Sequence, residues 1–154
     1  MDVLYTEGNG KLLDQVGPLW EMLNVQHTRQ CEPFRVWFSK RTFEDRRADL
    51  LEKLGEGQVH VVLARDGEHA VGYCVSTVSA SGKGEIDSLF LLPHYRGQGI
   101  GDELMLRSLN WLKMKQAKRI SVLIAAGNVD VLSFYARYGF AHRAVIMEIP
   151  EEGV

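Results

Sequence analysis

The stretch EIDSLFLLPHYRGQGIGDELMLRSL, residues 85–109, decides the predicted fold. Residues 85–92 are largely apolar and stop at a proline, which predicts a buried strand. Apolar side chains then recur at helical spacing from about Gly99 to Gln116, which predicts a helix. Between the strand and the helix, Arg96 is followed by glycines at positions 97, 99 and 101. The chain thus places bare backbone at the start of a helix.

Bare backbone at the start of a helix can bind an anion. The first amides of a helix have no acceptor within the helix, and they lie at the positive end of its dipole. Glycines let an anion approach those amides without meeting a side chain. The stretch therefore predicts an anion site with Arg96 as a further donor. The same glycines fit equally well a tight turn that binds nothing.

The spacing of the loop fits two nucleotide-binding motifs poorly. A Walker loop ends in Gly-Lys-Ser or Gly-Lys-Thr, whereas here Gly101 is followed by Asp102 and Glu103. A dinucleotide fingerprint counted from Gly97 would need a glycine where Asp102 stands. We therefore disfavour a nucleotide-binding domain.

The whole sequence predicts the element order β-α-α-β-β-β-α-β-α-β. The elements outside the opening stretch are a strand over residues 3–6, a turn over 7–10, a helix over 11–29, a helix from Thr42 to Gly55, strands over 58–65 and 70–80, a strand over 120–126, a helix over 128–139 opened by Asn128, and a strand over 142–149. Pro18 predicts a kink in the first helix or its start, and Asp66-Gly67 predicts a hairpin. This order is typical of an α+β sandwich with a mixed, mostly antiparallel central sheet flanked by helices. Strands 85–92 and 120–126 are predicted to be parallel.

Length and composition predict one soluble domain over residues 1–154. The chain has a formal charge of −2 and no block of basic residues, so we expect no nucleic-acid partner. Two distant cysteines in no ligand spacing predict reduced thiols and no metal site. The N-terminal residues lack the pattern of a signal peptide, and no apolar run approaches the roughly 20 residues of a membrane span. We therefore expect a cytoplasmic protein with no membrane partner.

Two spaced motifs resemble those of the GNAT family of N-acetyltransferases. The first is Arg-x-x-Gly-x-Gly at residues 96–101, preceded by LFLLPHY and similar to the family's coenzyme A pyrophosphate loop. The second is Asn128 followed by FYARYGF at residues 134–140, similar to the family's next signature. The resemblance covers nearly the whole chain. It implies an acyl-CoA N-acyltransferase-like fold and transfer of an acetyl group from acetyl-CoA to a primary amine by direct attack in a ternary complex.

One feature departs from the family pattern. Many relatives have two strands after the Gly-Phe pair, whereas this chain has room for about one long strand or two short ones. The edge of the sheet therefore stays open to question, and the resemblance implies a homodimer only as an option.

The resemblance also implies roles for individual residues. Pantetheine would lie between strands 85–92 and 120–126 and pair with the main chain of the first strand, one amide of which would polarise the thioester carbonyl. The implied coenzyme-binding residues are Leu89, Phe90, Leu91, Arg96, Gly97, Gln98, Gly99, Ile100, Gly101 and Asn128. Asn128 fits a simple helix N-cap almost equally well.

Three residues are candidates for moving protons. Tyr135 matches the tyrosine that in this family donates to the leaving thiolate sulfur, although it also fits a packed core ring. A primary amine has a pKa of about 10 in water, so something must take its proton before attack. Glu85 and Asp87 lie on one face of a strand because side chains alternate, so either could be the base through a water chain. Both also fit solvated residues at the start of a strand.

The acceptor amine is the least determined part of the prediction. In this fold the segment between the first two helices helps to form the acceptor wall, and here it contains Phe34, Trp37 and Phe38 with His27 nearby. An aromatic patch beside acidic groups suits a cationic amine. We therefore expect a small-molecule amine, with a peptide or protein amine as the alternative. A non-catalytic acyl-CoA-binding regulatory domain is a further hypothesis, and it would bind the coenzyme without releasing thiol.

Overall fold

The computed structural model, which describes residues 2–151, has a five-stranded sheet at its centre. The strands are β1 (Val3–Gly8), β2 (Gln58–Asp66), β3 (His69–Val78), β4 (Lys83–Leu91) and β5 (Arg119–Val122), and the helices are α1 (Leu13–Gln30), α2 (Arg35–Ser39), α3 (Phe43–Leu54), α4 (Ile100–Met114) and α5 (Asp130–Ala136). The strands lie in the order β1-β2-β3-β4-β5. All neighbours are antiparallel except β4 and β5, which are parallel. The predicted fold class and the parallel pair are confirmed.

Helices cover both faces of the sheet, and each face buries its own apolar cluster. The cluster under α1 and α3 contains Leu13, Val16, Trp20, Leu50, Val61, Leu63, Tyr73 and Phe90. The cluster under α4 and α5 contains Val62, Ala64, Ile86, Leu104, Met105, Leu112 and Tyr135. Consecutive β2 residues alternate between the two clusters because successive side chains of a strand point to opposite faces.

Several local signals act as the sequence predicts. The side chain of Thr42 accepts a hydrogen bond from the Asp45 amide, and the Asp45 carboxylate accepts one from the Thr42 amide, which makes a capping box at the start of α3. Gly55 ends α3 with a φ of 54°. Asp66 and Gly67 form the hairpin between β2 and β3, and both cysteines are free thiols.

The N-terminal third differs from the prediction at two points. β1 continues through Glu7 and Gly8, which were predicted to form a turn, because these residues pair with Val62 and Val61 of β2. Of the two alternatives predicted for Pro18, the structure has the proline inside α1 rather than at its start, since the helix begins at Leu13. The short helix α2 was not predicted, because 5 residues are too few to show a helical period.

The C-terminal third departs further from the prediction. β5 ends at Val122 rather than at residue 126, because its partner β4 pairs with it only as far as Ile86. The helix predicted to open at Asn128 begins at Asp130, with Val129 at the N-cap position. The strand predicted over residues 142–149 is absent, and residues 141–149 are all exposed. A strand needs a partner strand, and this segment pairs with none in the described chain.

No helix among the described residues is long and apolar enough to cross a membrane.

Candidate functional site

The sheet opens between β4 and β5. The two strands pair from Lys83 with Arg119 to Ile86 with Val122, and β4 then continues to Leu91 with a neighbour only on the β3 side. We call the main chain of residues 87–91 on the β5 side the open edge of β4. Because unpaired buried backbone groups are costly, such an edge inside a domain is expected to bind something.

A β-bulge lies where the open edge begins. Val75 of β3 pairs with Ser88 and Ser76 pairs with Ile86, so Asp87 is the extra residue. A bulge breaks the alternation of side chains along a strand. Here it turns the side chains of the consecutive residues Asp87 and Ser88 towards α1 and α3. Ser88 Oγ lies 2.6 Å from the Tyr73 hydroxyl on that face.

Asp87 is buried in a network of ion pairs rather than solvated. Its side chain is 1% exposed, and its carboxylate accepts hydrogen bonds from Thr77 Oγ1 at 2.6 Å and from Lys53 Nζ at 2.8 Å. Lys53 Nζ also donates to Glu85 at 3.3 Å, and the Arg46 guanidinium donates to the Asp87 carbonyl at 3.1 Å. The structure therefore places Glu85 and Asp87 on one face, where they share Lys53.

The pKa values of Glu85 and Lys53 are both raised in this network. Burial and the neighbouring Asp87 raise the pKa of Glu85 above its ordinary value. Burial alone would lower the pKa of Lys53, but its hydrogen bonds and the charges of Asp87 and Glu85 raise it overall. Lys53 thus stays cationic, while Glu85 holds a proton to a higher pH than an ordinary glutamate.

The glycine loop leaves open space before the start of α4. Gly99 is the N-cap of α4 with a φ of 84°, and a Cβ atom at Gly97 or Gly99 would meet nothing within 4 Å. A Cβ at Gly101 would instead lie 3.4 Å from the Phe134 ring, so Gly101 packs against α5 rather than facing the open space. The Asp102 carboxylate in the first turn is paired with Arg137 at 2.9 Å, which offsets its negative charge beside the helix N-terminus.

Arg96 joins the glycine loop to the open edge. Its Nε donates to the Leu91 carbonyl at 2.9 Å, and its guanidinium lies 5.5 Å from the centre of the Phe90 ring. The carbonyl of Leu91 is therefore already paired, unlike the expectation that it would be open to a ligand. Arg96 also contacts Gln26 of α1 at 3.4 Å.

The last turn of α1 reaches from the glycine loop to the loop after β5, a contact that the sequence did not reveal. A Cβ at Gly127, whose φ is 92°, would lie 2.1 Å from the Gln30 carbonyl oxygen, so these two backbones touch directly. The adjacent Asn128 amide donates to the Ala125 carbonyl at 3.2 Å. Asn128 is therefore placed beside this contact and is not a helix cap.

Tyr135 is a buried ring whose hydroxyl has no hydrogen-bond partner among residues 2–151. Its ring packs edge-on against Phe134 and Phe140, each at 5.5 Å between centroids. Burial raises its pKa strongly, so the phenol stays protonated at neutral pH. The hydrogen bonds among the described residues include none to this hydroxyl, and no fully buried side-chain polar atom there lacks a partner. The hydroxyl must therefore reach accessible surface, where it could donate to a ligand.

The aromatic side chains before α3 pack on one another and on an arginine, whereas the sequence predicted that they would face a cationic amine. Trp37 and Phe38 pack edge-on at 4.9 Å, and His27 packs on Phe38 at 5.4 Å, where burial lowers the pKa of the imidazole. The Arg41 guanidinium lies 4.8 Å over the Trp37 ring and is paired with the Asp49 carboxylate at 3.2 Å. The position where a cationic amine would stack on Trp37 is thus filled by the protein's own arginine.

Two cavities lie outside the gap between β4 and β5. One of about 300 Å³, lined by Gly8, His60, Trp111 and Lys115 among others, lies at the C-terminal end of α4 and far from the glycine loop. Another of about 10 Å³ lies between α3 and the start of the open edge, next to Asp87 and Ser88. The described residues contain no group of three metal-ligating side chains.

An opened sheet edge that runs into a glycine-rich helix N-terminus defines a protein of the acyl-CoA N-acyltransferase-like fold. The chain matches the acetyltransferase (GNAT) family over residues 22–140, and it therefore belongs to that family. The family predicted from the sequence is confirmed.

One relative and two solved structures share 14–29% sequence identity with the chain. The putative [ribosomal protein bS18]-alanine N-acetyltransferase of Bacillus subtilis is 29% identical over 80 residues, 52% of each chain, so the chain spans about half of this relative's length. The aminoglycoside N-acetyltransferase AAC(6')-Iy, solved in complex with CoA, has a TM-score of 0.68 at 14% identity and covers 98% of this chain and 95% of its own. The PaiA N-acetyltransferase of Thermoplasma acidophilum, solved in complex with coenzyme A, has a TM-score of 0.67 at 18% identity, covering 95% and 94%. At these identities the two structures show the shared fold alone.

Proposed function

We propose that the protein is an acetyl-CoA-dependent N-acetyltransferase, built as a single cytoplasmic domain over residues 1–154, that acts on a primary amine in a ternary complex. The observation that carries the proposal is the open edge of β4, which runs directly into the glycine-rich N-terminus of α4. Family membership and the CoA complexes of two structural neighbours support it.

The residues present fit acetyl-CoA, which would supply the acetyl thioester. The main chain of Leu89 and Phe90 would hold the pantetheine arm along the open edge. The loop residues that would hold the pyrophosphate are Arg96, Gly97, Gln98, Gly99, Ile100 and Gly101, with Asn128 on the far side of the gap. The open space before Gly97 and Gly99 supports this fit, because nothing blocks the backbone there. Since Arg96 is tied to Leu91, we expect it chiefly to position the loop.

Tyr135 is the proposed acid. Its phenol stays protonated, its ring is fixed by Phe134 and Phe140, and its hydroxyl has no partner among the described residues. A fixed neutral donor is suited to protonating a leaving thiolate.

Glu85 and Asp87 are the two carboxylates that we propose to take part in removing the proton of the amine. Asp87 is fixed by Thr77 and Lys53, whereas the Glu85 side chain is 21% exposed and retains access to solvent. The raised pKa of Glu85 brings its titration closer to neutral pH, which suits a group that must both take and release a proton. We therefore propose that Glu85 accepts the proton through a water chain and that Asp87 holds Lys53 beside it.

A small-molecule amine is the proposed acceptor, with a peptide amine as the alternative. The last turn of α1 contacts the loops on both sides of the gap, the glycine loop through Gln26 and the loop after β5 through Gln30. This enclosure favours a small acceptor over an extended polypeptide. Arg41 over Trp37 argues against recognition of a cation by that ring.

The first test is calorimetry with acetyl-CoA on a matched pair of variants. Gly99→Ala adds a methyl group to the open space, and we expect it to weaken binding by about tenfold or more. Gly67→Ala in the β2–β3 hairpin is the control, because its φ of 63° is also positive and its Cβ would also meet nothing within 4 Å. Equal affinities for both variants and the unchanged protein would remove the glycine loop from the site.

Thiol release over polyamines, aminoglycosides, amino acids and short peptides tests the activity. Release with a small amine supports the proposal, and release with peptides alone selects the alternative acceptor. Binding without release from any amine would indicate the non-catalytic regulatory domain. No binding of acetyl-CoA would overturn the proposed function.

A further inference from the structure

The cavity of about 300 Å³ lies at the C-terminal end of α4, whereas the glycine loop lies at the other end of that helix. The turn after β1, the start of β2 and the end of α4 form its wall, to which His60, Trp111 and Lys115 contribute. At about 30 Å³ per water, this volume holds roughly ten waters, which is enough for a small organic molecule. The proposed acetyltransferase activity makes no use of this cavity.

Two buried rings line the cavity and are fixed in place. His60 and Trp111 stack with their ring centroids 4.8 Å apart and their planes at 8°, and only 9% of His60 and 8% of Trp111 is exposed. His60 Nε2 lies 2.9 Å from one oxygen of Glu7, and the Arg107 guanidinium donates to the other oxygen at 2.8 Å. Stacking covers a face of each ring, so the ring edges, which carry the nitrogen atoms, remain for other contacts.

Each of the two rings has a nitrogen atom without a protein partner. The hydrogen bonds within residues 2–151 include none to Trp111 Nε1 and none to His60 Nδ1, and no fully buried side-chain polar atom in that range lacks a partner. Both nitrogens therefore keep accessible surface, which we assign to the cavity because both rings line it. Since the Glu7 carboxylate only accepts, His60 Nε2 donates to it, and Nδ1 of the neutral ring is an acceptor.

Lys115 adds a positive charge to this pair of a donor and an acceptor. It follows Trp111 by four positions, so the two side chains are neighbours on one side of the end of α4. Lys115 is exposed, and the ion pairs within the described range include none to its ammonium group. Glu7, in contrast, is already paired with Arg107 at 2.8 Å. The cavity therefore offers an indole N–H and an ammonium group to an anion, with an imidazole acceptor beside them.

We propose that this cavity binds a small carboxylic acid that carries a hydrogen-bond donor next to its carboxylate, as α-hydroxy and α-amino acids do. The carboxylate accepts a hydrogen bond from Trp111 Nε1 and pairs with Lys115 Nζ, while the adjacent hydroxyl or ammonium group donates to His60 Nδ1. An apolar remainder of the ligand lies against Val59, which also lines the cavity. The inference goes beyond the proposed function and does not depend on it.

An NMR titration of the indole N–H signals tests the site. The protein has three tryptophans, and the indole signal that is missing in Trp111→Phe identifies Trp111. Phenyllactate, phenylalanine and phenylpropionate share one carbon skeleton and carry a hydroxyl group, an ammonium group or neither beside the carboxylate. We expect phenyllactate or phenylalanine to shift the Trp111 signal to saturation and to bind at least about tenfold more tightly than phenylpropionate. The tighter of the two shows whether the donor is a hydroxyl or an ammonium group.

A matched pair of lysine variants tests the charge. Lys115→Gln should weaken binding of the tighter probe by about tenfold. Lys113→Gln should leave it unchanged, because Lys113 is an exposed lysine of the same helix that does not line the cavity. Both side chains are exposed, so neither change should disturb the fold, and unaltered acetyl-CoA binding would confirm this. No saturable shift with any probe up to its solubility limit, equal affinity for all three probes, or unchanged affinity in Lys115→Gln would overturn the proposal.

Discussion

The antiparallel part of the sheet and its parallel end differ in how fully their strands are paired. β2 and β3 are 9 and 10 residues long, each has a neighbour on both sides, and residues 61–64 have no exposed surface. β5 is 4 residues long, none of its residues is fully buried, and the segment after Phe140 has no partner in the described chain. The inner strands of the first part are paired along most of their length, whereas the second part pairs over only 4 residues in the described chain.

This difference identifies the end of the sheet at which backbone groups have no strand neighbour in the described chain. The open edge of β4 belongs to this incompletely paired end. We propose acetyl-CoA as the ligand of that edge. The antiparallel scaffold can support the edge, because its own hydrogen bonds do not depend on the ligand.

Truncation of one apolar side chain in each part gives the largest expected contrast. Leu63→Ala should lower the free energy of unfolding by about 2–5 kcal/mol, because Leu63 has no exposed surface and its loss leaves a cavity. Val129→Ala, in the loop after β5, should change it by less than about 0.5 kcal/mol, because Val129 is 64% exposed. Urea denaturation measures both values. Similar losses would mean that the two parts are packed equally well.

Removal of the Tyr135 hydroxyl should affect chemistry without affecting the fold. We expect Tyr135→Phe to lower kcat by about 100-fold, while the KM for acetyl-CoA stays nearly constant. Tyr138→Phe is the matched control on the same side of the sheet, because the Tyr138 hydroxyl bonds Asp102 rather than the open gap. Initial rates of thiol release measure the difference. Full activity in Tyr135→Phe would leave this ring a purely structural role.

A substitution at Gly127 tests how much the backbone contact between the loop after β5 and the last turn of α1 contributes to stability. Gly127→Ala should destabilise the protein by about 2 kcal/mol or more, because a positive φ strains alanine and the new methyl group would meet the Gln30 carbonyl at 2.1 Å. Gly139→Ala is the control, since Gly139 has a φ of 90° but its Cβ would meet nothing within 4 Å. Thermal unfolding of the two variants separates the loss of stability due to the steric contact from the loss due to a positive φ. Equal losses in the two variants would show that the contact with Gln30 contributes nothing to stability.

The smallest expected effect is the pH dependence due to Glu85. Because its pKa is raised on folding, the folded protein binds this proton more tightly than the unfolded chain does. The resulting stabilisation is fully present below the ordinary glutamate pKa and is lost as the pH rises through the raised value. Glu85→Gln should therefore gain stability relative to the unchanged protein across that window. Parallel stability curves for the two proteins would show that Glu85 titrates alike in both states.

The acidic limb of the pH–rate profile is the companion measurement for the same variant. If Glu85 is the base, activity should fall as the pH drops through its raised pKa, and Glu85→Gln should remove that limb along with most of the activity. Glu52→Gln, on the exposed side of α3, is the matched control. A limb that persists in Glu85→Gln would exclude Glu85 as the base.

The sequence by itself determined the features that depend on neighbours along the chain. These are the fold class, the family motifs, the Thr42 capping box, the Asp66-Gly67 hairpin and the glycine loop before α4. Each depends on residue types at fixed short spacing, such as a cap three residues from its partner or glycines at a helix start. Such signals can be recognised in a single sequence because local geometry needs little else.

Only the tertiary structure decided the features that join distant segments. Lys53 meets Asp87 from 34 residues away, Arg41 covers Trp37 from a neighbouring turn, and Gly127 lies against Gln30. The prediction of a strand over residues 142–149 was wrong because strand formation also depends on a distant segment. Its composition favours a strand, but a strand forms only where another edge accepts its hydrogen bonds, and no edge in the described part of its own chain does so.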